Sequence, residues 1–596
     1  MSENSRQRSE QFLKISGQFK LGALVTEGSH PATTGLSDVA KHDISAALKL
    51  LFDADADVVN KFREFVESGR AEKIAAAVLA AINNGGRIFF TGCGSTGRLS
   101  ILLDSVWRDF WQRCKRDFPG AADYEQRTFS VMAGGDYALI KAVEGFEDFT
   151  AFGKKQIADL SVSAKDVVFA ITEGGETSFV IGTAWQGVAA GARVYFVYNN
   201  PDDILCEHVQ RSREVIQDAR IEKINLTTGP MAITGSTRMQ ATSIQLCVML
   251  TILEVVVREL GGLDPAAVPR LFMDKLTELH AGLKSPELLS QLAEFVALEE
   301  RVYRGGHKNN YFADRLGIDV LTDTTERSPT YCTPPFRKFD DSTASESWAF
   351  LFLPDDWTDT AWQNILKRKP RCIEWNVDEI RALVDGEKVE RTLEVLAKIG
   401  PTELMRYKIG SNGLKYRVPM AQDSAIAIVC EAERSSWGKF QFKQLETAHQ
   451  NDYQTGLIYF GWNPDALNGS EHFADYILYV PVPESDLLLD GLTRIAAKLV
   501  MNALSTCTMV RLGRVMGNFM IWVVPSNLKL IDRATRYITK LTNLNYELAN
   551  ELLFEIIEYV EPRMKTDRAY PPVVGMAVLR ARENLSNEQA EKRLNS

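Results

Sequence analysis

The residues best suited to chemistry form a glycine-rich turn at positions 92–98, with the sequence Gly-Cys-Gly-Ser-Thr-Gly-Arg. An apolar run precedes the turn and an amphipathic segment follows it, which predicts a strand, a turn and a helix N-terminus. Such a turn directs unpaired backbone N–H groups and the positive end of the helix dipole at one point, where a phosphate is stabilised. We therefore expect Gly94, Ser95, Thr96 and Gly97 to contact a phosphate group.

The same turn has the G-x-G-x-x-G spacing of dinucleotide-binding sites, but two observations disfavour that interpretation. The hydroxyl groups of Ser95 and Thr96 suit a phosphate monoester better than a pyrophosphate. In addition, no acidic residue ends the next predicted strand, because residues 128–132 run into Ala-Gly-Gly. A tight turn that binds no ligand remains the alternative interpretation.

A second loop, at residues 172–178, follows another apolar run and precedes another predicted helix. Its candidate ligand-binding residues are Gly174, Gly175 and Thr177. Taken alone, the loop is equally well explained as a capped helix start, with Thr177 as the N-cap residue.

A third loop, at residues 229–240, leads into an apolar helix and contains the candidates Ser236 and Thr237. One hydroxylated glycine turn is common in proteins. Three of them, each at the start of a predicted helix, favour a single shared phosphate site.

The elements that position these turns alternate between short β-branched or aromatic runs and helical segments. The strand candidates of the first half are residues 88–91, 129–132, 167–171, 194–198 and 224–226. This alternation predicts an α/β fold with a doubly wound parallel sheet that is covered by helices on both faces. Ligands of such sheets bind outside the carboxyl ends of the strands, which is where the turns fall.

The composition limits the classes of function. A chain of 596 residues exceeds the size of one hydrophobic core and predicts two or three domains, and a net charge of −10 disfavours nucleic-acid binding. The eight cysteines form no C-x-x-C pair, which indicates reduced thiols, and the seven histidines lack metal-binding spacing. We expect neither a metal nor a cofactor.

The N-terminal residues 1–18 are polar and predict a frayed segment without the apolar core of a signal peptide. No later apolar run approaches the roughly 20 residues that span a bilayer. We therefore expect a cytoplasmic protein with no membrane contact.

The order of the motifs resembles that of a known family. Five segments carry the resemblance: TEGS (26–29), GCGSTGRL (92–99), AGGDYA (133–138), AVEGFED (142–148) and TGSTRM (234–239). They resemble the sugar isomerase (SIS) domain of bacterial N-acetylmuramic acid 6-phosphate etherases, and equally the related glucokinase regulatory protein family, which has two SIS domains in tandem. The resemblance implies a sugar 6-phosphate as the ligand.

The second half shows a fresh α/β rhythm from residue 302 and resembles a second SIS domain. Its strand candidates are residues 349–353, 372–375, 425–430, 457–460 and 476–480. Residues 304–309 stand where a hydroxylated turn is expected, and no Gly-Ser-Thr-Arg sequence precedes the helix predicted at 489–504. We therefore expect degenerate phosphate loops in this half and a single phosphate site in the chain.

Residues 323–331 resemble the etherase segment that carries a functional glutamate, here Glu326, whereas the matching residues 105–107 of the first half include no acid. Each half thus keeps what the other has lost, which predicts an internal pseudo-dimer with one composite site that can exist as a monomer. Residues 526–530 resemble a C-terminal etherase motif, which implies that Lys529 reaches the sugar phosphate. The expected domains are an N-terminal helical segment (1–50), two SIS domains (51–262 and 263–512) and a C-terminal helical domain (513–596).

The etherase resemblance implies cleavage of the D-lactyl ether of N-acetylmuramic acid 6-phosphate, a carbon–oxygen lyase reaction. A base removes the proton next to the sugar aldehyde, and an acid assists the departure of D-lactate. Glu147 or Asp148 in the first half and Glu326 in the second match the acid/base positions of the family.

The other family implies a different class of function: a non-catalytic, sugar-phosphate-responsive regulator that binds a sugar kinase. Several departures from the etherase pattern keep this alternative open. Glycine replaces a serine at 174, methionine a glutamate at 231 and glutamine a lysine at 240, while Glu173 and Glu176 add negative charge beside the expected phosphate.

Overall fold

The computed structural model describes residues 3–16, 21–118, 120–143, 145–433, 439–525, 528–564 and 571–595. Two five-stranded parallel sheets lie in the two halves of the chain, with strand orders β2-β1-β3-β4-β5 and β7-β6-β8-β9-β10. The strands of the first sheet are β1 (Ile88–Gly92), β2 (Thr128–Met132), β3 (Val167–Ile171), β4 (Arg193–Tyr198) and β5 (Ile221–Asn225). Those of the second are β6 (Asn309–Ala313), β7 (Ala349–Phe352), β8 (Ser424–Cys430), β9 (Gln454–Gly461) and β10 (Tyr476–Pro481).

Helices precede the first sheet and cover it. Those before β1 are α1 (Glu3–Ser16), α2 (Leu36–His42), α3 (Ile44–Ala54), α4 (Ala56–Glu67) and α5 (Arg70–Asn83). Those between β1 and β6 are α6 (Gly94–Arg113), α7 (Ala121–Glu125), α8 (Thr150–Ala158), α9 (Ser178–Ala189), α10 (Asp202–His208), α11 (Gln210–Gln217), α12 (Gln240–Leu260), α13 (Val268–Gly282) and α14 (Pro286–Arg304). The doubly wound α/β fold predicted for this half is confirmed.

The second sheet is surrounded in the same way and is followed by a mostly helical region. Its helices are α15 (Gly317–Tyr331), α16 (Thr358–Leu366), α17 (Val377–Arg381), α18 (Glu387–Leu396), α19 (Pro401–Leu404), α20 (Lys439–His449) and α21 (Gly491–Arg511). A short antiparallel hairpin, β11 (Val515–Met516) and β12 (Phe519–Met520), then leads to α22 (Leu528–Leu541), α23 (Tyr546–Met564), α24 (Val573–Glu583) and α25 (Asn587–Asn595). The domain limits given above remain predictions.

The strand order places one crevice where the sequence predicts a ligand. In a parallel sheet of order 2-1-3-4-5, the direction in which successive strands are added reverses between β1 and β3, and ligands bind outside the carboxyl ends of these strands. The loops that leave β1 and β3 are the turn at 92–98 and the loop at 172–178. Both strands are fully buried, as expected of central parallel strands covered on both faces.

The two halves pack together through several pairs of helices. Helix α6 contacts α15, and α12 contacts α21. This arrangement explains why α6 and α12 are buried along nearly their whole length, whereas a helix on an outer face would leave a polar side in water. Helix α12 contradicts one expectation. The sequence predicts no apolar run long enough to cross a membrane, but α12 is long and apolar enough to do so. All of its apolar window is buried inside the protein.

The second sheet corrects two expectations. Residues 372–375 form no strand; the neighbouring Arg371 carbonyl instead accepts a hydrogen bond from Asp136 N of the first half (3.0 Å). The sequence did not predict strand β6, because Asn309 and Asn310 at its start give it the polar composition of a loop. Residues 304–308 precede β6 and Asn309 begins it, so residues 304–309 lie at the amino end of the strand and are not the counterpart of the turn at 92–98. That counterpart is the loop at 314–316, which leads into α15.

The N-terminal segment is also a correction, because residues 3–16 form a helix that packs on α23. The rings of Phe12 and Phe554 lie 6.2 Å apart, and Ser9 Oγ donates a hydrogen bond to Asn550 Oδ1 (2.6 Å). An apolar contact and a buried polar contact together hold a segment whose sequence is mostly polar.

Arg368 of the second half ties together two buried carboxylates of the first. Its Nε donates to Asp104 Oδ2 (2.8 Å) and its Nη2 to Asp136 Oδ1 (3.0 Å). Burial alone would raise the pKa of Asp104, but Arg108 and Arg368 hold that pKa well below its usual range. The contact stabilises the packing of the two halves only while both the arginine and the two carboxylates are present, because either charge alone would be buried without compensation.

We expect Arg368→Met to lower the free energy of unfolding by about 3–5 kcal/mol, because it leaves two buried carboxylates without their shared cation. The matched control is Arg381→Met, which removes an exposed ion pair with Asp378 and should change stability by about 0.5 kcal/mol or less. Chemical denaturation of the three proteins measures both values. Equal stabilities of the two variants would show that Arg368 does not hold the halves together.

Candidate functional site

The turn after β1 presents one free hydroxyl group and uses the other internally. Gly94 has a φ of +51°, a conformation that favours glycine. Thr96 Oγ1 donates to Cys93 O (2.9 Å) and accepts from Cys93 N (3.1 Å), so its proton is already committed. The hydroxyl of Ser95 makes no hydrogen bond to any described residue. Of the two predicted phosphate contacts, Ser95 is thus the side chain that is free to donate.

The loop after β3 is held by a side-chain contact within the loop and by a hydrogen bond from the loop after β4. Thr172 Oγ1 lies 3.0 Å from Thr177 Oγ1, and the Gly174 carbonyl accepts from Asn200 Nδ2 (2.9 Å). Gly175 has a φ of +78°. Thr177 occupies the N-cap position of α9, but its side chain makes no capping hydrogen bond. The alternative interpretation of Thr177 as a side-chain cap is therefore wrong.

The third loop is fixed by the C-terminal region. Thr234 N donates to the Asn518 carbonyl (2.9 Å), and the Tyr537 hydroxyl donates to the Thr234 carbonyl. The hydroxyl groups of Ser236 and Thr237 make no hydrogen bond to any described residue. Like Ser95, both remain available as donors.

Lys529 lies in the first turn of α22 and reaches the loop after β3. Its ammonium group donates to the carboxylate of Glu176, which also accepts from Arg211 (2.9 Å). Burial acts to raise the pKa of Glu176, but the two cations hold it at about 2. Burial acts to lower the pKa of Lys529, and Glu176 and Glu147 outweigh it and raise that pKa above its ordinary value. Ser526 and Asn527 of the same motif lie outside the described residues.

Two carboxyl groups beside this lysine have raised pKa values. Burial raises the pKa of Glu173 to about 7, and the carboxylates of Glu326 and Glu147 add to the effect. Burial also raises the pKa of Glu147, with a further contribution from Asp148. Asp148 itself is exposed, whereas Glu147 is half-buried. Glu147 is therefore the better placed of the two residues for chemistry in a water-poor site.

Glu326 comes from α15 of the second half and meets the first half at Arg98. The Arg98 guanidinium donates to the Glu326 carboxylate through Nη1 and to the Ala138 carbonyl through Nη2 (3.0 Å). Arg98 directly follows the turn at 92–97 and is fully buried. The ion pair therefore links the second-half glutamate to the helix that begins at the predicted phosphate turn.

Two residues have positions in the site that their sequence motifs did not predict. Glu173 appears in the sequence only as added negative charge, although its position two residues after β3 was a usable signal, because that position lies at the switch point of the sheet. Arg98 appears only as the end of a motif, and nothing in the sequence reveals its partner. Within the described part of the chain, no group of three or more His, Cys, Asp and Glu side chains forms a metal site.

The chain is similar to proteins of known families. A profile of the glucokinase regulatory protein N-terminal SIS domain matches residues 71–186. The N-acetylmuramic acid 6-phosphate etherase of Yersinia pestis (strain Pestoides F) is 33% identical over 230 residues, which are 38% of this chain and 69% of the relative. The etherase of Yersinia pseudotuberculosis (serotype O:1b) matches to the same extent.

The chain belongs to the N-acetylmuramic acid 6-phosphate etherase family.

Two solved structures are also similar. The C-terminal domain of glucosamine-fructose-6-phosphate aminotransferase from Francisella tularensis is 11% identical, covers 77% of this chain and 96% of its own, and has a TM-score of 0.39. Tagatose-6-phosphate ketose/aldose isomerase from Escherichia coli is 9% identical, covers 80% and 94%, and also has a TM-score of 0.39.

The structure shows what surrounds two positions that depart from the etherase pattern. Gln240, where the family usually has lysine, donates to Asp55 Oδ1 (2.8 Å) and accepts from Ala232 N (2.9 Å). Glu176 pairs with Lys529, the residue implied to reach the phosphate. Any anion that approaches Lys529 must therefore compete with a carboxylate of the chain itself.

We expect Ser95→Ala to weaken the binding of N-acetylglucosamine 6-phosphate by about 10- to 100-fold, because it removes a charge-assisted hydrogen bond of about 1.5–3 kcal/mol. Thr96→Val should instead cost about 1 kcal/mol of stability, through the lost cap, and should leave binding nearly unchanged. Titration calorimetry and thermal unfolding of both variants separate the two effects. An unaltered affinity in Ser95→Ala would remove this turn from the site.

Proposed function

We propose that the protein binds a sugar 6-phosphate at the crevice formed by its three turns and cleaves the D-lactyl ether of N-acetylmuramic acid 6-phosphate, in the cytoplasm. Membership of the etherase family supports the substrate class. The free hydroxyl groups of Ser95, Ser236 and Thr237 and the ammonium group of Lys529 support a phosphate dianion as the anchored group. The N-termini of α6 and α9 add backbone donors at the same crevice.

The proposed reaction rests on three carboxyl groups: Glu147 and Glu173 both interact electrostatically with Lys529, and Glu326 interacts electrostatically with Glu173. Elimination needs a base that is ionised and an acid that is protonated at the same pH. Glu173, with a pKa of about 7, is protonated over much of the range below neutrality and suits the acid. Burial raises the pKa of Glu147, which makes its carboxylate a stronger base. Glu326 supplies the third carboxyl from the second half.

The proposed reaction is an elimination followed by the addition of water. The base takes the proton from C2 of the open-chain sugar, a C2=C3 double bond forms, and the C3–O bond to the lactyl group breaks. The departing oxygen takes a proton from the acid and leaves as D-lactate. Water then adds its hydroxyl to C3 and a proton to C2, which gives N-acetylglucosamine 6-phosphate.

A second function, a sugar-phosphate-responsive regulator that binds a sugar kinase, is favoured by a different observation. Glu326 is paired with Arg98, so its carboxylate is already engaged by a guanidinium of the chain itself. The matching SIS profile also comes from the glucokinase regulatory protein family. In this alternative, the carboxyl groups hold sugar hydroxyls and transfer no proton.

The prediction that the chain can exist as a monomer, with its two halves forming an internal pseudo-dimer, also remains a prediction.

The decisive experiment incubates the purified protein with N-acetylmuramic acid 6-phosphate and measures D-lactate. We expect lactate release with a rate that falls as the pH rises through about 7, because Glu173 loses its proton there. Glu173→Gln should lower turnover by about 100-fold or more and abolish this alkaline limb.

The matched control is Glu207→Gln, an exposed glutamate on α10, which should leave the rate unchanged. No lactate from the parent, together with tight binding of a ketose phosphate, would support the regulator. Full lactate release from Glu173→Gln would remove Glu173 as the acid.

A further inference from the structure

A buried cation with unused donors lies where the third turn meets the second half. Arg238 directly follows Ser236 and Thr237, and its side chain is 3% exposed. Its Nη2 donates to Ser505 Oγ (2.6 Å) and to Asp323 Oδ1 (3.2 Å). Its Nε and Nη1 atoms are buried and have no hydrogen-bond partner within the described part of the chain.

Unpaired donors of this kind need an explanation. A buried guanidinium N–H that has lost water gains nothing in return unless an acceptor replaces the water. Nearly all buried polar groups in proteins have partners, and the exceptions concentrate at sites that bind a ligand or do chemistry. Arg238 therefore points to an acceptor that comes from outside the chain.

Lys498, on α21, adds a second positive charge at the same place. Its ammonium group donates to the Arg238 carbonyl (2.7 Å), and the residue as a whole is half-buried. Burial and the nearby Arg238 lower the pKa of Lys498 to about 8, against the opposing effects of Asp323, Asp55 and Glu326.

The carboxyl groups near Arg238 and Lys498 already have partners within the chain. Asp323 is shared with Arg327, whose Nε donates to Asp323 Oδ2 (3.0 Å). Glu326 is paired with Arg98, and Gln240 donates to Asp55. Within the described part of the chain, Arg238 therefore shares its carboxylate partner Asp323 with Arg327, and Lys498 makes no ion pair.

The pair adjoins the carboxyl cluster of the proposed active site. Asp323, which pairs with Arg238, and Glu326 are three residues apart on α15 and therefore lie on one face of that helix. Glu326 also acts electrostatically on both Lys498 and Glu173. The phosphate already has donors in the turns and in Lys529. An anion bound by Arg238 and Lys498 would belong to another part of the same ligand.

We propose that Arg238 and Lys498 form a carboxylate subsite that holds the D-lactyl carboxylate of the substrate. The inference rests on the proposed function, because it takes the substrate from there. A carboxylate of the lactyl group accepts from the free Arg238 donors and from the remaining Lys498 donors, which makes each of these bonds charge-assisted. The subsite distinguishes the substrate from the product sugar, which has no carboxylate, and orients the ether oxygen toward the acid.

The test compares two ligands that differ only by the lactyl group. N-acetylmuramic acid 6-phosphate and N-acetylglucosamine 6-phosphate are titrated by calorimetry into Lys498→Met and Lys498→Arg, in a Glu173→Gln background that suppresses turnover. We expect Lys498→Met to weaken binding of the lactyl sugar by about 10- to 100-fold and of the product sugar by less than about twofold. Lys498→Arg keeps the charge and should restore most of the loss.

Each other outcome overturns the proposal. If Lys498→Met weakens both sugars equally, or neither, the pair does not bind the lactyl carboxylate. If it weakens inorganic phosphate as much as it weakens the lactyl sugar, the pair is a phosphate site. Lys498 carries the test because it makes no ion pair in the described part of the chain, whereas replacement of Arg238 would leave Asp323 less compensated and would endanger folding.

Failure of the proposed function is distinguishable from failure of the subsite. If the parent releases no lactate, the titrations are repeated in the parent itself. A difference between the two sugars that depends on Lys498 then supports the subsite in a protein that binds the lactyl sugar without cleaving it.

Discussion

The buried ion pair between Arg98 and Glu326 is the contact on which the candidate site depends. Arg98 belongs to the helix that starts at the first turn, and Glu326 belongs to the second half. Two charges this deeply buried are tolerated only as partners, because the loss of either leaves an uncompensated charge. The pair thereby fixes the position of a second-half glutamate relative to the turns of the first half, and it makes the site a joint product of both halves.

The two sheets show how a duplicated fold came to share one site. Both have the same strand order, so each has a switch point after its first and third strands. In the first sheet, that point carries small and hydroxylated residues. In the second, the loop after β6 carries Arg315, whose Nε donates to Asp490 (2.8 Å) and whose Nη1 lies 3.3 Å from Asp109 of the first half. The second switch point has become a contact between the halves, which agrees with a single phosphate site.

Local patterns in the sequence revealed most of the first half. Strands β1 to β4 are runs of aromatic and β-branched residues, and period and composition identify such runs. Strand β6 was not predicted, because it begins with the polar residues Asn309 and Asn310. A strand was wrongly predicted at 372–375 instead. The N-terminal helix looked frayed because its stabilising partners, Asn550 and Phe554, lie more than 500 residues away.

The turns of the candidate site could be predicted from the sequence, but the pairing and the pKa shifts of its charged residues could not. Glycine and hydroxyl spacing is local, so Ser95 and Ser236 could be chosen without a structure. The commitment of Thr96 to its own helix start, the raised pKa of Glu173 and the pairing of Lys529 with Glu176 depend on burial and on distant partners. The Arg238 and Lys498 pair joins residues 260 positions apart, and no motif contains both.

The central claim is that the two halves build one sugar-phosphate site between them. The stoichiometry of N-acetylglucosamine 6-phosphate binding, measured by titration calorimetry on protein of known active concentration, tests it most directly. The account predicts one molecule bound per chain, with an affinity that falls on substitution of Glu326 in one half or Ser95 in the other. Two molecules per chain, or a single site that is insensitive to Glu326, would contradict it.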